Sequence, residues 1–364
     1  MNSWNVDFNE APLLVIWETT RACALACKHC RAEAIDKRDP AELSLREGCA
    51  LLSDIAAMGT PLVVFTGGDP LQRNDLEALI SHAKHVGLRA GTIPATTPRL
   101  TRERIQALKA AGLDQMAMSL DGATATKHDD FRQVPGSFDI FMKGAKWARE
   151  EQVPLQVNSV FGSWNHSDFD GLAKMVEDVG AVFWEVFFLV PTGRGTALSG
   201  CTAEQTEALF AKLQAFAQRV PCVVKVTEAP HYRRYLAQHP SAARPKHPHG
   251  QGPRHGHKGL TMTKQGVNSG KGFCFVDHVG DVYPSGFLPI RCGNVRETPA
   301  SELYRNHPVF RELRDLQLLK GRCGICEYKD ICGGSRSRAY ALTGDYQAED
   351  ASCLYQPSGE SRLQ

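Results

Sequence analysis

Short β-rich runs alternate with helical patterns from residue 13 to about residue 220. This alternation is typical of βα units that build a parallel sheet. Six such units are too few to close an eight-unit barrel. We therefore expect an open α/β domain, with strands at 13–18, 62–65, 89–94, 115–119, 154–160 and 182–189 and helices at 45–58, 75–86, 102–111, 138–151, 168–179 and 203–219.

A cysteine run lies between the first predicted strand and the first predicted helix. Cys23, Cys27 and Cys30 have the spacing C-x3-C-x2-C. A four-iron cluster normally takes four thiolates, so three thiolates would hold three corners and leave one iron for a small molecule. A structural zinc ion is the alternative, because His29 could supply a fourth ligand.

A glycine-rich turn follows the second predicted strand. It consists of Gly67, Gly68, Asp69 and Pro70. Two glycines without Cβ atoms allow the backbone to approach a ligand closely. The same four residues could form an ordinary turn, but their position behind the cysteine run favours a binding role.

The cysteine run and the Gly-Gly-Asp-Pro turn together resemble the radical S-adenosylmethionine (SAM) superfamily. The resemblance implies a partial (β/α)6 TIM-like barrel and a 4Fe-4S cluster on the three cysteines, whose open iron chelates SAM. Reductive cleavage of SAM would then give a 5′-deoxyadenosyl radical that abstracts a hydrogen atom from the substrate. The family's turn is Gly-Gly-Glu-Pro and meets the methionine amine, so Asp69 has the same charge and a shorter reach.

The resemblance also implies SAM contacts near the ends of later strands. Ser119 would contact the SAM ribose or carboxylate, and Asn158 the ribose unless it only caps a strand end. Arg132 would bind the carboxylate, which suits the two parallel donors of a guanidinium. The backbone near Leu189 would meet adenine. Asp121 either joins this site or builds a turn.

A second cysteine group lies near the C-terminus. Cys323, Cys326, Cys332 and Cys353 would complete the ligand set of a zinc ion or a four-iron cluster, and their spacing cannot distinguish the two. The C-x2-C-x5-C run with a distant fourth cysteine resembles the SPASM extension of radical SAM enzymes. The resemblance implies an auxiliary 4Fe-4S cluster.

The match to the SPASM pattern is incomplete. Arg336 and Gly280 stand where a full SPASM domain has cysteines of a second auxiliary cluster. We therefore expect one auxiliary cluster and interpret Cys274 and Cys292 as small apolar residues of a hairpin core. The same structural interpretation applies to Cys49, Cys201 and Cys222.

The sequence predicts three parts. A radical SAM partial barrel covers 1–225, a His/Pro-rich linker or lid loop covers 226–271, and a SPASM-like domain with a hairpin at 273–283 and a helix at 300–319 covers 272–364. Within the middle part, residues 238–271 cannot bury a core and are expected to be a solvated loop. A substrate lid or a metal-binding tract is the alternative, because it contains His247, His249, His255 and His257.

Composition excludes several classes of protein. A net charge of +2 gives no reason to expect a nucleic acid as partner. No apolar run approaches the roughly 20 residues that span a bilayer, and the N-terminus lacks a signal peptide. We expect a cytoplasmic protein without membrane contact, in which the two cysteine groups serve as ligands and the cysteines do not form disulfides.

The C-terminal sequence bears on the substrate. Residues 283–290 and 332–345 resemble the haem-biosynthesis members of the superfamily, which act on the propionate side chains of a tetrapyrrole. An electron donor such as flavodoxin or ferredoxin would be a partner. The alternatives are maturation of a ribosomally made peptide and a non-catalytic metal-binding scaffold. Candidate propionate contacts, each of which could equally pair with an acid, are His231, Arg233, Arg234, Arg336 and Arg338.

Overall fold

The computed structural model of the chain describes residues 6–240 and 266–358. The four histidines of the predicted lid loop lie outside the described residues. Along these two ranges no helix has the length and apolar character that are needed to cross a membrane.

The described residues form one ten-stranded sheet in the order β10-β9-β8-β1-β2-β3-β4-β5-β6-β7. Neighbours from β8 through β1 to β7 are parallel, whereas β9 pairs antiparallel with β8 and with β10. The strands are β1 Leu14–Glu18, β2 Leu62–Thr66, β3 Arg89–Thr92, β4 Gln115–Ser119, β5 Leu155–Phe161, β6 Phe183–Phe188, β7 Val223–Thr227, β8 Phe273–Val276, β9 Asp281–Tyr283 and β10 Gly293–Asn294.

Helices connect the parallel strands and continue into the C-terminal part. They are α1 Leu45–Met58, α2 Leu76–His85, α3 Arg102–Ala110, α4 Ala125–Arg132, α5 Ser137–Glu150, α6 Phe169–Asp178, α7 Ala203–Arg219, α8 Tyr232–Gln238, α9 Ala300–Asn306, α10 Pro308–Arg314, α11 Gly321–Ile325 and α12 Arg336–Thr343. Ser44 and Glu47 form the capping box of α1, since each side chain accepts from the other's backbone N–H.

The predicted α/β fold is confirmed, but several details differ. The six predicted strands are present, but β7 was missed because its apolar residues alternate with Lys225 and Thr227. Helices α4, α8, α11 and α12 were also missed, and α8 lies within the part predicted as a linker or lid loop. The helix predicted at 300–319 is broken, because Pro308 begins α10 and a proline fits the first position of a helix better than its interior.

The sheet also bears on the domain division. The predicted boundary at residue 225 falls inside β7, and β8 extends the sheet by pairing with β1. The C-terminal part therefore shares a sheet with the βα units. The division into 1–225, 226–271 and 272–364 stays a prediction.

The two faces of the sheet differ in polarity. One face packs against the helices and buries large side chains such as Trp17 and Trp184. Side chains alternate along a strand, so the neighbouring residues point to the opposite face, which we call the inner face. One end of the inner face is plugged by Phe8, Leu14 and Leu62. Further along the sheet the inner face instead carries polar residues: Glu18 and Ser119 end β1 and β4, and Asn158 and Glu185 lie within β5 and β6.

Candidate functional site

The three N-terminal cysteines share one loop after β1. Cys23 and Cys27 are buried and Cys30 is half-buried. The loop closes on itself, because the Cys23 N–H donates to the Ile35 carbonyl at 2.9 Å. Burial raises the pKa of Cys23 to about 12, so a metal that binds this sulfur has to displace its proton.

The glycine turn lies directly against this loop. The Gly68 N–H donates to the Thr20 carbonyl at 2.7 Å. A Cβ on Gly67 would lie 2.4 Å from the Thr20 oxygen, and one on Gly68 would lie 2.5 Å from the Ala22 oxygen. Only glycine permits so close an approach of two backbones. The turn therefore fixes the chain immediately before Cys23.

Asp69 is fully buried in this turn. Its carboxylate accepts hydrogen bonds from the Thr97 hydroxyl at 2.8 Å, the Leu71 N–H at 3.1 Å and the Ala95 N–H at 3.3 Å. Burial raises the pKa of Asp69, and these hydrogen bonds oppose that rise. Both oxygens are thus engaged with the protein, and the predicted contact of Asp69 with the SAM amine stays a prediction. The role of Thr97 was missed, because 28 residues separate it from Asp69.

Arg132 lies beside the cysteine loop at the end of α4. Its guanidinium pairs with the buried Asp121 and donates to the Cys27 sulfur at 3.4 Å. Although burial favours the neutral acid, Arg132 holds the pKa of Asp121 below its ordinary value. Asp121 therefore belongs to the site. The Arg132 Nε has no hydrogen-bond partner among the described residues, so one donor is left for a ligand.

Ser119, the last residue of β4, pairs with Asn158 in the middle of β5. The Asn158 amide oxygen accepts from Gln156 at 2.7 Å, and Gln156 also donates to Glu185 at 2.8 Å. These contacts place a polar network on the inner face. The Leu189 carbonyl, which was predicted to lie near adenine, accepts from Arg338 at 3.3 Å.

The loop after β6 also holds the cysteine loop. The Arg194 side chain donates to the Cys27 carbonyl at 3.0 Å, and its backbone N–H donates to the Cys30 carbonyl at 3.1 Å. The sequence gives little signal for this contact, since Arg194 lies far along the chain. Within 6–240 and 266–358, no three His, Cys, Asp or Glu side chains are arranged to hold a single metal ion.

The four C-terminal cysteines line one cavity. Each sulfur accepts a hydrogen bond from a nearby N–H group. A Cβ on Gly334 would lie 2.9 Å from the Cys323 sulfur, so the backbone forms part of the cavity wall. The donor–acceptor pairs are Asp350 N to Cys323 at 3.4 Å, Tyr328 N to Cys326 at 3.4 Å, Gly334 N to Cys332 at 3.4 Å and Arg234 Nη2 to Cys353 at 3.8 Å.

The basic residues predicted to meet propionates surround this second cysteine group. Arg336 donates to the carbonyls of Tyr346 and Ala348 at 2.7 and 2.8 Å, and Arg338 donates to Asp350 at 3.4 Å. Arg234 pairs with Glu207, Arg233 donates to the Ile331 carbonyl at 3.3 Å, and His231 is fully buried. The four arginines thus have partners within the protein, which favours the alternative of internal pairing, and the prediction that the five residues contact substrate propionates stays a prediction.

The remaining cysteines lie in or against the core, which is the environment expected for structural cysteines. Cys274 and Cys292 are buried in the main core, and burial raises the pKa of Cys292 to about 12. Cys222 belongs to the same core, and Cys49 and Cys201 pack against it.

Comparison with known proteins agrees with this geometry. The Radical SAM superfamily matches residues 17–176. An AdoMet-dependent heme synthase of Nitratidesulfovibrio vulgaris is 40% identical over 346 residues, which are 94% of this chain and 92% of that protein. The chain belongs to the radical SAM superfamily. As a radical SAM enzyme it uses a 4Fe-4S cluster and SAM.

Further relatives and solved structures extend the comparison. An AdoMet-dependent heme synthase of Methanosarcina barkeri is 37% identical over 97% of this radical SAM chain and 99% of that protein. Streptococcus suis SuiB bound to S-adenosylmethionine has a TM-score of 0.73 at 14% identity and covers 95% of this chain and 78% of its own. Native anSMEcpe with bound AdoMet has a TM-score of 0.68 at 14% identity and covers 93% of both chains. Both structures share the fold of this chain.

Proposed function

We propose that this radical SAM enzyme is a haem synthase that decarboxylates propionate side chains of a haem precursor. The similarity to AdoMet-dependent heme synthases over nearly the whole chain carries this proposal. Each decarboxylation removes one hydrogen atom, one CO2 and one electron from the propionate, which leaves a carbon–carbon double bond. The hydrogen atom goes to the 5′-deoxyadenosyl radical, and the electron would pass to a one-electron acceptor such as an iron–sulfur cluster.

The N-terminal loop would hold the SAM cluster through Cys23, Cys27 and Cys30. When bound and reduced, this cluster supplies the electron that cleaves SAM. The glycine turn keeps the loop in place, and Arg132 donates to one ligand sulfur. An N–H group near a ligand sulfur stabilises its negative charge. The proposed SAM site comprises Gly67, Gly68, Asp69, Pro70, Ser119, Arg132, Asn158 and Leu189.

The second cavity would hold an auxiliary 4Fe-4S cluster through Cys323, Cys326, Cys332 and Cys353. Four thiols around one cavity, each with an N–H donor, fit the ligand set of such a cluster. A cluster there supplies a one-electron carrier. Arg234 and Arg336 each lie 3.8 Å from a ligand sulfur and would offset part of its negative charge.

The test is an anaerobic reaction of the reconstituted protein with SAM, a reductant and iron coproporphyrin III. Reduced flavodoxin or ferredoxin would serve as the reductant. We expect 5′-deoxyadenosine together with a porphyrin that has lost one CO2 and two hydrogen atoms per modified side chain. SAM cleavage with an unchanged porphyrin would contradict the proposal and favour the peptide-maturation alternative.

A further inference from the structure

An arginine beside the cysteine loop is held on the inner face of the sheet. Arg31 follows Cys30 directly and pairs with Glu18, the last residue of β1. Its guanidinium carbon lies 4.5 Å from the ring centroid of Phe275 in β8. An ion pair on one side and an aromatic ring on the other fix the position of this cation.

Arg31 keeps donors that no residue within 6–240 or 266–358 accepts from. Among the described residues, Arg31 Nη2 donates a hydrogen bond to the Glu18 carboxylate. The Arg31 side chain is 23% exposed, whereas that of Glu18 is 3% exposed. A guanidinium has five N–H donors, and two of them can bind one carboxylate in parallel. The exposed part of Arg31 is therefore suited to a ligand carboxylate.

A second basic side chain approaches the same acid. His278 Nδ1 lies 3.5 Å from Glu18 Oε1, and its Nε2 lies 3.7 Å from Asp39. The His278 Nδ1 is buried and has no hydrogen-bond partner among the described residues. Glu18 is thus held between two basic groups, which fixes it as the support of Arg31.

The segment that carries Phe287 reaches this cation, because a Cβ on the preceding Gly286 would lie 3.1 Å from Arg31 Nε and from the Phe275 ring. Phe187 of β6 and Phe287 after β9 have ring centroids 6.4 Å apart, although β6 and β9 are far apart in the sheet order. The rings of Phe275 and Tyr283 are 6.2 Å apart. Phe187, Phe287 and Tyr283 are half-buried, whereas Phe275 is buried. Partly exposed aromatic rings provide an apolar surface for a flat ligand.

We propose that Arg31 binds a carboxylate of the substrate while Phe187 and Phe287 contact its apolar ring, with Glu18 and Phe275 as positioning residues. The assignment rests on the proposed function, because a tetrapyrrole with propionate side chains offers both a carboxylate and a flat apolar ring. The neighbour of Arg31 is Cys30, so a carboxylate held there lies near the proposed SAM cluster.

The test compares two porphyrins that differ only in their carboxylates. Anaerobic absorbance titrations would measure binding of iron coproporphyrin III and of its tetramethyl ester. We expect Arg31→Gln to weaken binding of the free acid by about tenfold or more, the size of one lost hydrogen-bonded charge pair, and to leave the ester unchanged. Arg31→Lys keeps the charge but loses the paired donors, so its affinity should be intermediate.

Arg291→Gln is the matched control, because it removes an exposed arginine that pairs with Asp281. It should bind both porphyrins as the wild type does. Iron content and melting temperature report folding. If Arg31→Gln fails to fold, Glu18→Gln/Arg31→Gln avoids an unpaired buried acid and should show the same loss of preference for the free acid.

Two outcomes separate the proposals. If the wild type prefers the free acid and the Arg31 variants keep that preference, the assignment of Arg31 is overturned and the haem synthase proposal stands. If the wild type binds neither porphyrin, both proposals fall.

Discussion

The two cysteine regions are built differently. The N-terminal loop supplies three thiols within eight residues and is held by distant segments, namely the glycine turn, Arg132 and Arg194. The C-terminal group supplies four thiols, most of whose N–H donors come from its own segment. The N-terminal loop, which has an incomplete ligand set, thus depends on distant parts of the sheet for its shape. The complete set depends mainly on local turns.

The largest difference between the two cysteine regions is expected from Cys27→Ala. Removing one of only three ligands should abolish SAM cleavage, with a loss of at least about 10³-fold, because a cluster on two thiolates is not held. The iron of the C-terminal group should remain. Measurements of 5′-deoxyadenosine and of iron content check both statements. Cys49→Ala, outside both groups, is the control, and intact SAM cleavage in the Cys27 variant would refute the ligand assignment.

Cys326→Ala should impair product formation rather than SAM binding. SAM binding should persist, since the N-terminal loop makes its own contacts, while porphyrin product should fall by about 10²-fold. Product is followed by mass spectrometry, and SAM binding by equilibrium dialysis. A variant that forms product at the wild-type rate would show that the second cysteine group is not needed for the reaction.

Gly68→Ala tests whether the glycine turn shapes the N-terminal loop. The added Cβ would lie 2.5 Å from the carbonyl oxygens of Arg21 and Ala22, and backbone atoms cannot easily move aside. We expect a loss of about 2 kcal/mol in stability, as for other overpacked sites, together with weaker SAM binding. Thermal unfolding and dialysis measure these effects. Gly91→Ala is the matched control, because its Cβ would meet Val64 at an ordinary 3.5 Å.

A smaller effect is expected from pH. His128 is fully buried beside the Arg132–Asp121 pair, and burial lowers its pKa to about 4. The unfolded chain takes up this proton near pH 6.5, so the contribution is complete above pH 6.5 and is lost as the pH falls towards 4. His128→Gln should remove about 3 kcal/mol of the fall in unfolding free energy between pH 6.5 and pH 4. Equal slopes for the two proteins would contradict this explanation.

The sequence predicted the elements that depend on local pattern. Strand runs, the capping box at Ser44 and the grouping of Cys23, Cys27 and Cys30 in one loop follow from spacing and are found in the structure. Strand β7 was missed because Lys225 interrupts its apolar pattern, although Lys225 pairs with Glu185 on the neighbouring strand. Such a pair is visible only once the strands are side by side.

Side-chain partners over long separations were the least predictable part. Arg336 and Arg338 were candidates for propionates because arginine suits carboxylates, yet Arg336 binds backbone carbonyls and Arg338 binds a buried acid. Arg31 was not considered, although it follows a predicted ligand. Its importance depends on Glu18 and Phe275, which come from two different strands.

The binding of SAM to the N-terminal cluster is tested most directly by electron–nuclear double resonance on the reduced protein. The SAM would be labelled at the methionine nitrogen and carboxylate. The experiment would use Cys323→Ala/Cys326→Ala to remove the C-terminal signal. The account predicts hyperfine coupling between the labelled atoms and the remaining 4Fe-4S cluster, which is absent in Cys27→Ala. A reduced cluster that shows no coupling to labelled SAM would contradict it.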